Sequence, residues 1–427
     1  MSAKRVLIVC YYWPPAGGPG VQRWLKFVTY LGQFGVEPTV FVPENAHYPL
    51  TDEAFLSEVP VNVTVVKFPI KEPYRFAKWI SKKKTKTISS GIITEKQPSL
   101  LEKFMLFIRG NLFIPDARVG WVKPASSFLQ QYLAENNIET IVTTGPPHSV
   151  HLIGLRLQKA VGVKWIADFR DPWTTIHYHQ SLRLTAASAK KHKDLERKVL
   201  TSADHVVVTS QGTKKEFSAI TKKPITVITN GYDGEYKTPR IPDEKFSLVH
   251  IGSLLSNRNP AMLWKVLSAL INENAEFAAQ LQITLAGAVS EEVKQSLAAF
   301  GLSPFLQDEG YVAHQKALQL QQNAQLLLLI EMNRPETKVI LPGKLFEYLQ
   351  AGRPIVALGP EGSDMEAIIA ETKTGWFFSY SEEKELQEQL LQCFYDFQQN
   401  NLKVAAASIE KYSRKALTET MAHLLKA

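Results

Sequence analysis

The sequence predicts an α/β protein made of two domains, each built on a doubly wound parallel sheet. At 427 residues the chain is too long for one ordinary hydrophobic core. Short apolar runs that read as strands alternate with amphipathic runs that read as helices in both halves. The strands, such as KRVLIVC (4–10) and QLLLLIE (325–331), are almost continuously apolar. Strands of this kind are typical of parallel sheets that helices cover on both faces.

The domain boundaries follow from this alternation. The predicted strands of the first domain, residues 1–233, are residues 4–10, 38–43, 62–69, 139–145, 164–171, 205–210 and 225–231. Residues 234–244 are charged and rich in turn formers, which predicts a linker. A second domain is expected over 245–400. Helices are predicted at about 382–400 and 404–426, so that residues 401–427 end the chain as a helix.

Composition narrows the class of protein. The chain is 45% hydrophobic and 21% charged, as in soluble globular proteins. It has no apolar run long enough to span a membrane, and it enters a strand directly after its first residues, which does not fit a signal peptide. Cys10 and Cys393 lie far apart in apolar runs, so we expect buried free thiols in a reducing compartment. These features predict a cytoplasmic protein.

The net charge of +8 is concentrated in residues 71–110. This stretch contains ten Lys or Arg and three Glu, interspersed with aromatic side chains. One interpretation is a contact with an anionic membrane surface, which would place the protein on the inner face of the membrane as a peripheral component. The other is a solvated insertion. Nucleic-acid binding is not expected, because no nucleic-acid-binding module surrounds the segment.

The stretch PGKLFEYLQAGRPIV (342–356) predicts a helix between two strands, and Gly352 ends this helix. Lys344 lies in the first helical turn, where the helix dipole disfavours a cation. An anion bound between Lys344 and the helix N-terminus would explain it. Glu347 lies three residues later on the same face. A solvated surface pair of Lys344 and Glu347 is the alternative interpretation.

A second cation follows the first strand of the second domain. Gly252 and Ser253 occupy the turn, and Arg258 precedes the next helix. A guanidinium at this position suits a forked phosphate contact. Lys344, Arg258 and two helix N-termini therefore predict a diphosphate held without a metal ion or other cofactor, and leave Glu347 to accept hydrogen bonds from vicinal hydroxyls.

Three further clusters lie in the first domain. Gly17 and Gly18 precede a helix, where glycines allow close approach of a ligand, although a tight turn without a ligand is an alternative. His148 begins the helix after GPP, and it is interpreted either as a ligand contact or as a structural hydrogen bonder. Asp168, Arg170 and Asp171 end a strand, where polar groups suit a site. Here the alternative is an Asp–Arg pair that fixes the turn.

These motifs together resemble the retaining family 4 glycosyltransferases of the GT-B fold. The matching segments are YYWPPAGGPGVQRW, TGPPHSVH, IADFRDPW, ADHVVVTSQG, ITNGYD, VHIGSLLSNRNP, LAG, EGYV and PGKLFEYLQAGRPIV. The resemblance implies two Rossmann-like domains that face a central cleft, with the acceptor bound by the first domain and the nucleotide sugar by the second. It also implies a final helix that packs back on the first domain.

The resemblance assigns expected roles to individual residues. His148, Arg258 and Lys344 match catalytic groups. The nucleotide-sugar contacts would be Gly17, Gly18, Gly252, Ser253, Arg258, Tyr311, Val312, Gly343, Lys344 and Glu347. Asp168, Arg170 and Asp171 would lie on the acceptor or sugar side.

The sequence departs from the family pattern at two positions. Val339 stands where the family commonly has a glutamate that contacts the donor hexose, although Glu331 and Glu336 lie nearby. Ser253 stands where the family usually has an arginine. The sequence therefore does not predict which sugar the donor carries.

The predicted activity is a metal-independent transfer of a sugar from a nucleoside-diphosphate sugar, UDP-linked, to a glycan or lipid-linked acceptor. Retention at the anomeric carbon and a role in polysaccharide or cell-envelope synthesis are expected. A nucleotide-sugar epimerase of the same fold and a non-catalytic sugar-binding scaffold are the alternatives.

Overall fold

A computed structural model describes residues 3–72, 100–176, 179, 181–233 and 241–427. The chain divides into two compact units. Unit 1 comprises Met1–Thr229 and Arg414–Ala427, and unit 2 comprises Asn230–Ser413. Each unit contains its own parallel sheet, as the sequence predicts.

Unit 1 is built on a seven-stranded sheet with the order β3-β2-β1-β4-β5-β6-β7. All its strand pairs are parallel. The strands are β1 (Lys4–Val9), β2 (Val36–Pro43), β3 (Thr64–Phe68), β4 (Thr140–Gly145), β5 (Lys164–Phe169), β6 (His205–Val208) and β7 (Ile225–Val227). Its helices up to this point are α1 (Pro19–Leu31), α2 (Leu100–Leu112), α3 (Val119–Glu135), α4 (Ser149–Val161), α5 (Ala186–Ser202) and α6 (Gln211–Ser218).

The apolar runs of the sequence form the core of this sheet. β1 and β4 are its central pair, and Leu7, Val9 and Ile141 are fully buried. Trp165 on β5 is also fully buried, and its Nε1 donates a hydrogen bond to Thr143 Oγ1 at 2.8 Å. The indole therefore adds apolar burial without leaving its polar atom unpaired.

Unit 2 is built on a six-stranded sheet with the order β10-β9-β8-β11-β12-β13. Its strands are β8 (Phe246–Ile251), β9 (Leu281–Ala286), β10 (Leu306–Gly310), β11 (Leu326–Ile330), β12 (Ile355–Leu358) and β13 (Gly375–Phe378). Its helices are α7 (Ala261–Glu273), α8 (Ala275–Gln280), α9 (Glu291–Ala299), α10 (His314–Asn323), α11 (Gly343–Ala351), α12 (Asp364–Thr372) and α13 (Glu383–Gln398). Because every strand pair is parallel, the carboxyl ends of all six strands lie at one edge.

The last helix, α14 (Arg414–Lys426), packs against α1 within unit 1. Met421 and Leu425 join the buried cluster that contains Leu25 of α1. The helix starts ten residues later than the sequence predicts. Residues 401–413 belong to unit 2, where the buried Tyr412 donates a hydrogen bond to Glu371 Oε2 at 3.0 Å.

Three further expectations concern the basic segment, membrane-spanning helices and the two cysteines. Residues 73–99, which carry most of the basic segment, lie outside the described residues. Within the residues that are described, no helix combines the length and the apolar character needed to cross a membrane. Both cysteines are free and buried, as predicted.

Candidate active site

The first part of the candidate site in unit 2 is the turn after β8. Gly252 has a φ of +105° and Gly287, after β9, has a φ of +139°. A Cβ on Gly287 would lie 2.4 Å from the carbonyl oxygen of Gly252. The two turns therefore pack backbone against backbone, which only glycine at residue 287 allows.

Arg258, at the end of a short 3₁₀ helix (Ser256–Arg258), pairs with the carboxylate that follows β11. Its Nε and Nη2 donate to Oε1 and Oε2 of Glu331 at 3.1 and 3.3 Å. The Arg258 side chain is 29% exposed, whereas that of Glu331 is 2% exposed. Glu331 also accepts a bond from the backbone NH of Met332 at 2.8 Å. One side of the guanidinium is thus fixed to the protein, and the group stays partly accessible.

Lys344 is the second residue of α11 and reaches the same edge of the sheet. Its Nζ lies 3.1 Å from Nε2 of His250, a buried residue of β8. Burial and the charge of Arg258 lower the pKa of Lys344 to about 7, although Glu331 and Glu347 oppose this shift. Lys344 and Arg258, the two cations that the sequence singles out, therefore lie at the same edge of the unit 2 sheet.

Glu347 lies one turn further along α11 and is half-buried. Its Oε2 accepts a hydrogen bond from Nε2 of the buried Gln321 at 2.9 Å, and the carboxylate is therefore held by α10. Tyr311 and Val312 follow β10 at the same edge of the sheet. Tyr311 is 91% exposed. The neighbouring Gly310 accepts a backbone bond from Gly287 at 2.7 Å.

In unit 1, Gly17 and Gly18 lead into α1. The NH of Gly17 donates to the carbonyl of Leu50 at 3.0 Å, and Gly18 is the N-cap with a φ of +101°. Two residues on, a Cβ on Gly20 would lie 1.5 Å from Nη1 of Arg170. The start of α1 therefore needs glycine at residue 20 for a close approach, and the group that approaches is the Arg170 guanidinium.

Arg170 and its neighbour Asp171 are both half-buried. The Arg170 Nε donates to the carbonyl of Gly145 at 3.3 Å, and its Nη2 donates to the carbonyl of Pro146. Arg170 thus joins the end of β4 to the start of α1.

Asp168 is fully buried, and its carboxylate is directed at other protein groups. It accepts bonds from Arg23 Nη2 at 3.0 Å, Trp24 Nε1 at 2.8 Å and Thr144 Oγ1 at 2.8 Å. Burial favours a raised pKa, but the charge of Arg23 and these hydrogen bonds lower the pKa of Asp168 below its ordinary value. The fixed Asp–Arg pair that the sequence suggests exists, but its arginine is Arg23 rather than Arg170.

His148 is the N-cap of α4, and its ring stacks on Trp173 with a centroid distance of 4.9 Å. The side chain is buried, and neither ring nitrogen has a hydrogen-bond partner among the described residues. Burial, followed by the neighbouring His151, holds the pKa of His148 well below its usual range. His148 is therefore a neutral ring with two unused polar atoms, suited to hydrogen bonding rather than to carrying charge.

The structure thus brings Gly252, Arg258 and Lys344 together at one edge of the unit 2 sheet. Sequence patterns did not indicate a role for His250 or Arg23, or the pairing of Glu331 with Arg258. A single histidine in the apolar strand FSLVHI was the available signal for His250. Arg23 gives no comparable signal, because its partner lies 145 residues away.

The fold resembles that of several solved structures over nearly the full length of the chain. HepE from Anabaena, solved in complex with UDP, has 15% sequence identity and a TM-score of 0.61, with 99% of each chain covered. Sucrose-phosphate synthase from Thermosynechococcus elongatus has 12% identity and a TM-score of 0.62, covering 99% of this chain and 98% of its own. WaaG, a glycosyltransferase involved in lipopolysaccharide biosynthesis, has 13% identity and a TM-score of 0.53, with coverages of 99% and 95%.

Residues 88–236 match the model of the family described as Glycosyltransferase Family 4. The resemblance to the family 4 glycosyltransferases is confirmed. The family match covers His148, Asp168, Arg170 and Asp171, and the GT-B fold extends over both units. Together they support a glycosyltransferase of the GT-B type. No curated protein sequence matches the chain.

Proposed function

We propose that this glycosyltransferase moves a sugar from a UDP-linked donor to a hydroxyl group of a glycan or lipid-linked acceptor, with retention at the anomeric carbon. The observation that carries the proposal is the pair of cations, Arg258 and Lys344, at the carboxyl edge of the unit 2 sheet. Lys344 lies in the first turn of α11, where the free NH groups of the helix also attract an anion.

This arrangement suits a leaving diphosphate. Negative charge grows on the diphosphate as its bond to the sugar breaks, and fixed positive groups stabilise that charge most strongly in a partly buried site. Arg258 offers a planar fork and Lys344 offers a compact ammonium group. We propose that these side chains neutralise the leaving group without a metal ion and that the reaction uses no further cofactor.

Glu347 is the proposed contact for the nucleotide ribose. Gln321 holds one of its carboxylate oxygens and so orients the carboxylate, a group that only accepts hydrogen bonds and therefore suits vicinal hydroxyls. Tyr311 and Val312 would lie beside the base. Gly252, Ser253 and Gly343 would approach the donor with backbone groups.

His148 is proposed to contact the transferred sugar, because a neutral imidazole with unused nitrogens both donates to and accepts from hydroxyl groups. The glycine loop at Gly17 and Gly18 would lie against the same donor. Arg170 and Asp171 remain proposed acceptor-side groups. Asp168 would support them indirectly, by holding β5 to α1 through Arg23.

The named structures support the choice of UDP and of a glycan product. HepE has been solved with UDP and glucose, and TarM with UDP and α-GlcNAc-glycerol. WaaG acts in lipopolysaccharide biosynthesis. We propose polysaccharide or cell-envelope synthesis at the inner face of the membrane as the setting, with the basic residues of segment 71–110 attracting anionic lipids.

Isothermal titration with UDP tests the donor site. Wild-type protein should bind UDP, and Lys344→Ala should weaken binding about tenfold or more, since one charge-assisted contact contributes about 1.5–3 kcal/mol. Lys384→Ala is the matched control, because the Lys384 side chain is 84% exposed on α13. Equal affinity of wild type and Lys344→Ala would refute the phosphate role.

A panel of UDP-sugars and acceptors separates transfer from the alternatives. Release of UDP with a new α-linkage from an α-linked donor supports the retaining transferase. Conversion of the donor to an epimer, or binding without hydrolysis or transfer, would instead indicate an epimerase or a sugar-binding scaffold. Val339, in place of the glutamate common in the family, gives the scaffold its specific support.

A further inference from the structure

His250 is a fully buried histidine near the carboxyl end of the apolar strand β8, and its two ring nitrogens meet different partners. Nδ1 lies 3.0 Å from the carbonyl oxygen of Leu328 on the adjacent strand β11. A carbonyl oxygen only accepts hydrogen bonds, so Nδ1 must carry the proton. In a neutral ring, Nε2 is then left with a lone pair.

The lone pair of Nε2 faces the ammonium group of Lys344 at 3.1 Å. An ammonium group only donates, so the contact requires an unprotonated Nε2. The contacts with Leu328 and Lys344 are therefore satisfied by one state, the neutral ring protonated on Nδ1. Burial first, and then the charge of Lys344, hold the pKa of His250 well below its usual range, although backbone hydrogen bonds to Leu328 and Ser253 oppose this shift. The net direction agrees with a neutral ring.

We propose that His250 is a positioning residue that holds the Lys344 ammonium group in place for the donor diphosphate. The inference rests on the proposed function of the site and deepens it. His250 does not touch the substrate in this proposal. It acts through the lysine, by accepting one of the three protons that the ammonium group can donate.

A neutral acceptor has a specific advantage at this position. Arg258, Glu331 and Glu347 also act electrostatically on Lys344. If either carboxylate held the lysine, its negative charge would compete with the diphosphate for the ammonium group. An imidazole fixes the long, flexible side chain without cancelling its charge. The remaining donors of Lys344 stay available for phosphate oxygens.

The backbone around the contact shows how closely the lysine is held. A Cβ placed on Gly252 would lie 3.2 Å from Lys344 Nζ and 3.4 Å from its Cε. His250 and Gly252 belong to the same strand end, so β8 bounds the ammonium group with both a side chain and a backbone segment. Preorganisation of this kind reduces the ordering that ligand binding would otherwise require.

Three substitutions of His250 separate positioning from packing. His250→Gln places an amide group near the original Nε2 and retains an acceptor for Lys344. His250→Asn places its amide near the original Nδ1, so it retains the contact with Leu328 but not the contact with Lys344. His250→Phe fills the space and loses both contacts. Thermal unfolding identifies any variant that is not folded.

Titration with UDP at pH 6, below the pKa of about 7 of Lys344, gives the first readout, because the ammonium form is then present. We expect about tenfold weaker binding for His250→Asn and His250→Phe, the size of one lost hydrogen bond to a charged group, and near wild-type binding for His250→Gln. If folded His250→Asn and His250→Phe bind UDP as tightly as wild type, the positioning role is overturned.

The imidazole ¹⁵N chemical shifts give a second readout that needs no ligand. His250 should remain neutral and protonated on Nδ1 from about pH 5.5 to 8, and its Nε2 shift should change in Lys344→Met. Titration of His250 near the ordinary value of about 6.5 would overturn the inference. If wild-type protein does not bind UDP, the proposed donor fails, while these spectra still decide whether His250 holds Lys344.

Discussion

Arg258 and Glu331 form a two-pronged ion pair, with Nε–Oε1 and Nη2–Oε2 distances of 3.1 and 3.3 Å. The carboxylate is almost fully buried and the guanidinium is about a third exposed. The arginine proposed to bind the leaving diphosphate is therefore already held on one edge by a negative group. Glu331 orients Arg258, and it also reduces the net positive charge that a diphosphate would meet.

Replacement of each partner should separate these two effects. Arg258→Met leaves Glu331 buried without its cation, so we expect a loss of about 1–3 kcal/mol in the free energy of unfolding of unit 2 and about tenfold weaker UDP binding. Glu331→Gln keeps one oxygen acceptor and removes the charge, so UDP affinity should be unchanged or higher. Calorimetric titration of both variants and of the double variant measures the coupling. Weaker UDP binding by folded Glu331→Gln would contradict the charge effect.

The second prediction concerns Asp168, whose partners are all inside the protein. Asp168→Asn leaves the buried Arg23 without its counter-ion, which should cost about 3–5 kcal/mol of stability at pH 7. Because the pKa of Asp168 is depressed in the folded state, its contribution is present above the ordinary carboxyl pKa and is lost as the pH falls through the folded value.

Urea unfolding at pH 7 and at about pH 3.5 measures this dependence, since ordinary carboxyl groups titrate near 4. The difference in free energy of unfolding between wild type and Asp168→Asn should be smaller at the lower pH. Glu37→Gln, at an exposed position on β2 of the same unit, is the control and should leave the urea midpoint near that of wild type. An equal difference in free energy of unfolding at both pH values would show that Asp168 stabilises the fold through packing and neutral hydrogen bonds rather than through its charge.

The alternation of apolar runs predicts both sheets, because each buried strand is a short, almost continuously apolar run that can be recognised from the local sequence alone. Cations such as Lys344 can also be recognised in the sequence, because a lysine at a helix start is locally unfavourable and so calls for an explanation. Their partners cannot be recognised there, since His250 and Lys344 become neighbours only when β8 and α11 meet at the sheet edge. The helix predicted at 404–426 begins at Arg414 instead, because residues up to Ser413 pack with unit 2 through Tyr412.

The third prediction concerns the two glycine turns. Gly287→Ala should strongly destabilise unit 2, because its Cβ would lie 2.4 Å from the Gly252 carbonyl oxygen. The new Cβ of Gly252→Ala would lie 3.2 Å from Nζ of Lys344, at the flexible end of that side chain. This variant should therefore fold, but it should bind UDP more weakly. Gly301→Ala is the control for backbone strain, since it has a φ of +71° and no atom within 4 Å of the new Cβ. Denaturant midpoints and UDP titrations distinguish the three variants.

The fourth prediction concerns the basic segment. Replacement of three lysines by Glu, at Lys82, Lys83 and Lys84, should reduce binding to vesicles that contain anionic lipid by more than about tenfold. Each basic residue near such a surface contributes about 1 kcal/mol. The control replaces Lys191, Lys193 and Lys198, exposed on α5, and changes the net charge equally. Sedimentation with vesicles measures both. Equal losses would indicate an effect of total charge alone.

The fifth prediction concerns metal ions. Arg258, Lys344 and the N-terminus of α11 are proposed to carry the charge of the diphosphate, so transfer should continue at an unchanged rate in excess EDTA. UDP release measured with and without the chelator checks this. A loss of activity that Mg²⁺ or Mn²⁺ restores would show that the cationic side chains do not suffice.

The packing of α14 against α1 also has a consequence for synthesis on the ribosome. The apolar face of α1 that receives Met421 and Leu425 stays uncovered until almost the entire polypeptide has been translated. Unit 1 therefore cannot finish folding before unit 2 has been made, although most of its residues come first. Nascent chains stalled within unit 2 should expose this face to chaperones, and proteolysis of such chains should show α1 becoming protected only after α14 has emerged.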